Sequence, residues 1–353
     1  MENEHRTKSP ASASIRVARI ATLAVFALSL AMSAFAQDAP SHYLSLDAPH
    51  PQNKSYVGTY PEAINRHGWI AGIVDYGGTM HGFLRRRNGT FIAVDVPGAS
   101  QTTVWAINAY DEAVGDFLAP GCNSCGFLRD ASGSITQLAI PGASTGALGI
   151  NGSEVVVGTA KDTVGYHGFL WSAQNGFTVF DVPGTKPGGT LPVAINGTGT
   201  VIGYYFAAKG YPQGFVRSRG GRFTKFGAMA GGPITVPTAI NATGQITGWT
   251  TDATGDTLGF LRDTDGTITT FSVSGMQATE TTAINDSGVI VGFDFTDGNH
   301  PASFERDQTG NLNPLTIPFT NTYTRANGIN LNGNVTGFYV DPAGVSHGWV
   351  KVP

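Results

Sequence analysis

Apolar and polar residues alternate along the chain in a unit that repeats every 43 to 45 residues. Each unit contains four short apolar runs, rich in β-branched and aromatic residues and separated by Gly, Pro and Asn, and each run predicts a β-strand. The first run of every unit ends in Asn65, Asn108, Asn151, Asn196, Asn241, Asn285 or Asn330. A period in the forties with four strands per unit predicts a β-propeller of seven four-stranded blades.

The second unit illustrates the plan, with strands predicted at 103–107, 113–117, 125–130 and 134–140. No segment after residue 36 has a sustained helical period, so we expect almost no helix. The sequence therefore favours an all-β fold.

Each repeated position has a physical role. The turn asparagine is expected to bond the backbone two residues further on. A second-strand Gly is expected where another backbone approaches closely: Gly72, Gly115, Gly158, Gly203, Gly248, Gly292 and Gly337. A third-strand aromatic ring is expected to fill the space between blades: Phe83, Phe127, Phe169, Phe215, Phe260, Phe304 and Trp349.

The fourth strand predicts how the ring closes. It recurs as Phe-x-x-x-Asp-Val-Pro at 91–97 and 177–183, but the last unit ends at Pro353 without it. A matching segment, Tyr-Leu-Ser-Leu-Asp-Ala-Pro, stands at 43–49. We therefore expect this N-terminal strand to complete the last blade, which removes exposed sheet edges. Residues 37–353 are predicted to form a single propeller domain.

Residues 1–36 have the features of a secretory signal peptide. Four basic residues precede a short apolar run at 20–32, and Ala34-Phe35-Ala36 is a small-x-small cleavage site. The run could instead be an uncleaved anchor. A signal peptide predicts a secreted or periplasmic protein with no membrane segment after cleavage.

Charge excludes some partners. Removing the four basic and two acidic residues of the leader from totals of 21 and 25 leaves 17 and 23, a net charge of −6. Nucleic acid and anionic membranes both require a basic face, so neither is expected as a partner.

The two cysteines lie close together as Cys122-Asn-Ser-Cys125. A thioredoxin-like redox site would need a strand-to-helix context, which is not predicted here. In an exported protein, a small disulfide closing a loop between two strands is the simpler expectation.

The whole pattern resembles an exported bacterial family, the HAF-type repeat proteins, named for a His-Ala-Phe triplet. The resemblance covers all seven units and rests on the pattern Ile-Asn-x-x-Gly-x-Val-x-Gly, His-Gly-Phe-Leu and Asp-Val-Pro-Gly. The His of this pattern is replaced in four units by Cys125, Gln213, Leu258 and Ala302. Gly replaces the Ala of the name at 81–83, 167–169 and 347–349. The resemblance implies an exported propeller and supplies no activity or catalytic residue.

A ligand site is expected on one end of the propeller. The turns after the first and third strands are short and alike, and we call their end the asparagine rim. The second-to-third loops and the blade connections vary in length and lie at the other end, the loop rim. Variable loops on a rigid scaffold commonly carry binding residues. On this rim an aromatic arc beside acidic residues is the predicted ligand-binding site: Tyr205, Trp249, Asp252, Phe293, Asp294 and Tyr339.

Two functions stay open. The first is a non-catalytic module that binds an extracellular glycan or a cell-surface partner through this arc. The second is a secreted hydrolase or lyase acting on a polysaccharide through rim carboxylates. The sequence favours the first, with no cofactor. No metal site is predicted, because His81, His167 and His347 fall on separate blades.

Overall fold

The structure is a computed structural model that describes residues 43–50, 55–230, 232–273, 278–295, 301–320 and 323–353. Within these ranges the chain forms 28 strands and no helix, and hence no helix that could cross a membrane. The strands form seven antiparallel four-stranded blades, which confirms the predicted fold class. The predicted signal peptide lies outside the described residues.

Blades 1 to 4 follow the chain in order. Blade 1 comprises Tyr56–Ile64, Ile70–Tyr76, Thr79–Arg85 and Phe91–Val94. Blade 2 comprises Gln101–Ile107, Ala113–Ala119, Cys122–Arg129 and Ile135–Leu138. Blade 3 comprises Ser144–Ile150, Val156–Lys161, Tyr166–Ser172 and Gly176–Phe180. Blade 4 comprises Thr190–Ile195, Val201–Phe206, Pro212–Arg217 and Phe223–Phe226.

The remaining blades have the same plan. Blade 5 comprises Thr235–Ile240, Ile246–Thr251, Thr257–Arg262 and Ile268–Phe271. Blade 6 comprises Thr279–Ile284, Ile290–Phe295, Pro301–Arg306 and Leu312–Pro314. Blade 7 comprises Tyr323–Ile329, Val335–Val340, Ser346–Lys351 and, as its fourth strand, Tyr43–Leu46.

The ring closes as the sequence predicted. Tyr43–Leu46 pairs antiparallel with Ser346–Lys351, and Tyr43 lies opposite Lys351. A parallel bridge between Gly58 and Ser346 further connects blade 7 to blade 1. The two ends of the propeller chain are thus joined by backbone hydrogen bonds in one blade.

The core lies between neighbouring blades. The third-strand rings predicted to fill it are all buried, with exposed fractions of 0–2%. Each first strand contains a β-bulge opposite the second-strand Gly, for example between Ala147 and Gly149. The bulge brings the first-strand backbone close, so a Cβ at Gly158 would overlap Gly146 O and the Phe169 ring. This close approach explains why the position is Gly in every blade.

The turn asparagines form a closed ring of hydrogen bonds. Asn65 Oδ1 accepts the N–H groups of His67 and Trp69, each at 3.0 Å, so the predicted turn bond is confirmed. In every blade the asparagine Nδ2 also donates to the backbone oxygen of the next blade's asparagine, at 2.9–3.2 Å. The last of these, from Asn330 to Asn65 O, connects blade 7 to blade 1. Seven side chains therefore link all seven blades at the asparagine rim.

A second set of inter-blade bonds comes from a buried first-strand threonine. Its Oγ1 accepts a backbone N–H of the preceding blade or of the connection that follows it, at 2.9–3.1 Å. The residues are Thr59, Thr102, Thr145, Thr190, Thr235, Thr279 and Thr324. Each stands four residues before the small residue of the Ala/Gly-Ile-Asn segment, so the threonine is a further regular position of the repeat. Its inter-blade bond was not predicted from the sequence.

The asparagine rim departs from its repeat in two blades. The third residue after the asparagine has a positive φ and is Gly in five blades, but it is Asp111 with φ 65° and Glu154 with φ 56° in blades 2 and 3. A left-handed backbone is unfavourable for residues with a Cβ. These two turns are therefore locally strained.

Candidate functional site

The predicted aromatic arc lies on two faces of its strands. Tyr205 and Tyr339 stand two residues after the second-strand Gly, on the face of that Gly. Tyr205 is only 9% exposed, and the Lys225 Nζ lies 5.1 Å from its ring centroid. Tyr339 is 7% exposed and stacks between Phe319 and His347. Neither ring offers much surface to a ligand.

Trp249 and Phe293 directly follow the Gly and therefore point to the opposite face. Phe293 is buried beneath the Arg325 guanidinium, whose Cζ lies 4.4 Å from the ring centroid. Trp249 is half-buried, and its indole Nε1 is buried without a hydrogen-bond partner among the described residues. Of the four predicted rings, Trp249 is thus the most accessible.

The two predicted carboxylates have different surroundings. Asp252 accepts the Thr254 hydroxyl at 2.7 Å and the N–H groups of Thr254 and Asp256, each at 2.9 Å. The Thr254 hydroxyl is the largest cause of a lowered pKa at Asp252; burial opposes it, and these backbone donors lower the pKa further. Asp252 therefore stabilises its own turn, whereas Asp294 is buried. A ligand-binding role for the six residues remains a prediction.

Three histidines on third strands each bond the aspartate that directly follows the fourth strand of the same blade. His81 Nδ1 lies 3.1 Å from Asp95, and His167 Nδ1 lies 2.8 Å from Asp181. In blade 7, His347 Nδ1 lies 3.0 Å from Asp47, which belongs to the closing N-terminal segment. The His of His-Gly-Phe and the Asp of Asp-Val/Ala-Pro are therefore spatial partners.

The other four blades lack both members of this pair. At the histidine position they have Cys125, Gln213, Leu258 and Ala302. At the register-equivalent aspartate position they have Ala139, Gly227, Ser272 and Thr316. The two residues of the pair are thus present together or absent together in every blade, which the sequence pattern alone did not reveal.

A second carboxylate faces two of the histidines. His167 Nε2 lies 3.4 Å from Asp162, and His347 Nε2 lies 3.3 Å from Asp341. Burial acts to lower the pKa of His167, but Asp181 and Asp162 together raise it above its ordinary value. His167 is therefore held between two acids.

Blades 7 and 1 carry a continuous series of neighbouring rings on the loop rim, which we call the ring array; three of its ring pairs are stacked and three are tilted. Neighbouring ring centroids are 4.4–6.4 Å apart along the series. In order the rings are Phe319, Tyr339, His347, Tyr56, His50, Tyr76 and His81. All except Tyr339 are exposed or half-buried. An open cleft of ≈ 280 Å³ begins at His81 and Asp95 and follows the connection to blade 2.

Hydrogen bonds hold the ring array in place. The Tyr56 hydroxyl lies 2.7 Å from Thr59 Oγ1 and donates to Asp47 at 3.1 Å, and the Tyr76 hydroxyl donates to Pro49 O at 2.5 Å. Burial raises the pKa of both phenols, and Asp95 adds to this effect at Tyr76. Both hydroxyls therefore remain protonated donors at neutral pH.

The cysteines occupy a different position from the one predicted. Cys122 and Cys125 form a disulfide. They lie within the third strand of blade 2, which begins at Cys122, rather than in a loop before it. A two-residue turn at 120–121 is enough to reverse the chain, so the strand starts earlier than expected.

Among the described residues, no three His, Cys, Asp or Glu side chains are grouped so that they could hold a metal ion. The three histidines lie on separate blades, as the sequence indicated.

No protein-family profile and no curated protein matches the chain. Among solved structures it is similar to a streptogramin B lyase, with a TM-score of 0.61 and 13% identity over 88% of this chain and 98% of that one. It is also similar to an oligogalacturonate lyase from Vibrio parahaemolyticus, with a TM-score of 0.63 and 10% identity over 88% and 96% of the two chains. The β-propeller domain of the Trilobed protease from Pyrococcus furiosus has a TM-score of 0.59 and 8% identity over 84% and 94%.

These likenesses show the fold alone, because their identities are only 8–13%. Together with the seven observed blades they define the chain as a β-propeller module. The Pyrococcus domain is described as having an open velcro topology, whereas the N-terminal strand closes the ring here.

Proposed function

We propose that the chain is an exported propeller module that binds a carbohydrate on the loop rim and does not itself catalyse a reaction. Export to the periplasm or medium is proposed from the leader at residues 1–36. The propeller supplies a rigid frame for the loops that contact the ligand.

The ring array carries this proposal. Sugar rings present apolar C–H faces that pack on aromatic rings, while a few fixed polar groups orient their hydroxyls. The array combines both features, because its rings lie beside Asp47, Asp95 and Asp341. Its tyrosines are already anchored by hydrogen bonds, so little conformational freedom is lost on binding.

The array carboxylates favour binding over catalysis. Asp47 accepts a hydrogen bond from Tyr56 and bonds His347, and Asp95 bonds His81. Carboxylates that already make these hydrogen bonds are suited to stabilise the conformation of the loop rim. A ligand would meet an ordered polar surface.

A secreted hydrolase or lyase is the second candidate, and one observation favours it. Burial raises the pKa of Glu280, with Arg325 opposing the shift, and a carboxyl with a raised pKa is suited to act as a general acid. This candidate requires turnover of a bound polysaccharide.

The test is a glycan array probed with the full propeller, followed by titration of the best glycan. Tyr76→Ala, in the ring array, should weaken binding by about tenfold or more, equivalent to about 1.4 kcal/mol. Tyr110→Ala removes a ring that is 57% exposed on the asparagine rim and should leave binding unchanged. Equal binding by all three proteins would contradict the site, and release of shorter products from the bound glycan would replace the binding module by an enzyme.

A further inference from the structure

The first strand is the innermost strand of each blade. One equivalent residue in each of the seven first strands lies near the axis, toward the loop rim. First strands of neighbouring blades contact one another all round the propeller, so they line its centre. The position is the first-strand residue paired with the residue directly after the second-strand Gly. Around the ring its occupants are Tyr60, Thr103, Gly146, Leu191, Val236, Glu280 and Arg325.

These seven positions have the same height along the axis but different chemistry. The only two charged residues among them, Glu280 and Arg325, lie on adjacent blades, and Tyr60 follows on the next. The positions of blades 2 and 3, by contrast, hold the small residues Thr103 and Gly146. The wall of the central opening formed by blades 6, 7 and 1 therefore carries charged and aromatic residues. The wall formed by blades 2 and 3 carries small residues at the same position.

Arg325 packs on an aromatic ring of the charged wall. Its guanidinium carbon lies 4.4 Å from the centroid of Phe293. Phe338 is the register partner of Arg325 on the next strand. Its ring packs against Tyr323 and Tyr60, at centroid distances of 5.8 Å and 5.2 Å. Arg325, Tyr60 and Tyr323 are all half-buried.

The charged groups of this wall act on one another. Arg325 opposes the effect of burial that raises the pKa of Glu280. Burial also raises the pKa of Tyr323, with Arg325 lowering it and Glu280 raising it further. An arginine, a carboxyl and two phenols therefore form one polar cluster among aromatic faces.

This wall is continuous with the ring array. The Tyr56 hydroxyl lies 3.4 Å from Ser346 O, and the Ser346 side chain acts to lower the pKa of Tyr60 against the larger effect of burial. Ser346 therefore touches the ring array on one side and the central cluster on the other. A chain-like ligand could extend from the axis to the outer rings.

We propose that Arg325 binds the carboxylate of an acidic sugar at the centre of the loop rim, with Tyr60 and Tyr323 beside the sugar ring. This inference rests on the proposed carbohydrate-binding function and names its ligand class as uronate-containing oligosaccharides. The planar guanidinium fork matches a carboxylate in bidentate geometry, and nearby aromatic faces suit the sugar ring. The protein's net negative charge gives no general attraction for polyanions, so binding depends on this one local cation.

The experiment compares uronate tetrasaccharides with their carboxyl-reduced counterparts, titrated into the full protein. The wild type should bind the uronate at least about tenfold more tightly than the reduced sugar. Arg325→Ala should remove this preference by weakening uronate binding about tenfold or more, and it should leave the reduced sugar unaffected. Arg262→Ala is the matched control: its guanidinium also lies over a ring, Phe226 at 5.2 Å, but on a third strand, and its variant should keep the preference.

Thermal melting of each variant accompanies the titration, and Arg325→Gln replaces the alanine variant if that one does not fold. Wild-type protein that binds neutral glycans through the ring array but shows no preference for uronates would overturn this inference and leave the proposed function intact. Uronate binding that survives in the folded Arg325 variant would also overturn it. Failure to bind either kind of sugar would instead remove the proposed function.

Discussion

The two rims of the propeller are built from the same seven blades, but their contacts differ: one rim repeats the same bonds in every blade and the other does not. At the asparagine rim all seven blades repeat one arrangement, in which each asparagine bonds its own turn and the next blade. At the loop rim the equivalent positions differ from blade to blade, and the His–Asp pair occurs in only three of them.

The comparison shows how a repeat protein divides its tasks. A residue that is identical in seven units makes the same bond seven times, so its role is to hold the ring together. A residue that varies among equivalent positions is not needed for the ring, and Glu280, Arg325 and Tyr60 are of this kind. The predictions below test that division, beginning with the apolar core between the blades, which lies between the two rims.

Phe169→Ala should lower the free energy of unfolding by about 3–5 kcal/mol, because it removes a fully buried ring that packs between blades 2 and 3. Val179→Ala, on the neighbouring strand with a side chain that is 51% exposed, is the control and should have little effect. Denaturant unfolding measures both. A loss of less than about 1 kcal/mol for Phe169→Ala would contradict the shared core.

Asn330→Ala should cost roughly 2–3 kcal/mol, since it removes the bond to Asn65 O and leaves two backbone N–H groups of its turn without their acceptor. Asn332→Ala, two residues away and bonded through an exposed side chain to Arg66 O, should cost far less. The difference between the two unfolding free energies is the quantity to measure. Equal values would mean that the asparagine ring does not stabilise the closure.

Glu154→Gly should stabilise the protein by roughly 0.5–1 kcal/mol, because it relieves a positive φ of 56° at a position that is Gly in five blades. The substitution also removes a carboxyl group that helps to raise the pKa of Glu112. Burial is the largest cause of that raised pKa, and the hydrogen bond from Asn108 opposes it. Ser153→Gly changes the adjacent residue and should not stabilise. A lower melting temperature for Glu154→Gly would show that the carboxylate has a role at this rim.

The smallest expected effect concerns His167. Its raised pKa means that the folded state binds the proton more tightly than the unfolded state, whose value is 6.5. The added stability is therefore complete below pH 6.5 and is lost as the pH rises through the higher folded value. Because both aspartates are exposed to solvent, which screens their charges, the effect should stay below about 1 kcal/mol. NMR titration of His167 and melting of His167→Gln from acidic to alkaline pH measure it; a folded pKa at or below 6.5 would contradict the double-aspartate contact.

The fold could be predicted because its causes are local and repeat seven times. A second-strand Gly and a third-strand Phe fix the packing of each blade, and the segment at 43–49 reveals the closure. The asparagine ring was missed because the sequence shows only the turn bond of Asn65, while the Nδ2 acceptor lies 43 residues away in the next blade. The first-strand bulges could not be predicted either, because the sequence marks each of them only by the small residue that follows it.

The candidate site was harder to predict because side chains on adjacent strand positions point to opposite faces. Trp249 and Tyr205 differ by one position within their blades, so they cannot share a surface although both follow a second-strand Gly. The ring array was missed because His50, Tyr56 and His347 come from distant parts of the chain and meet only through the closure. The region that could not be assembled from the sequence is therefore the one where the two chain ends meet.

The division of roles between the rims is tested most directly by hydrogen exchange of the full protein, free and bound to the glycan that binds most tightly in the array. Binding should protect backbone amides at the loop rim of blades 7 and 1, around Tyr56, Tyr76 and His347. It should leave the seven asparagine turns unchanged, because those amides are already bonded within the ring. Protection centred on the asparagine turns, with none at the loop rim, would contradict this division.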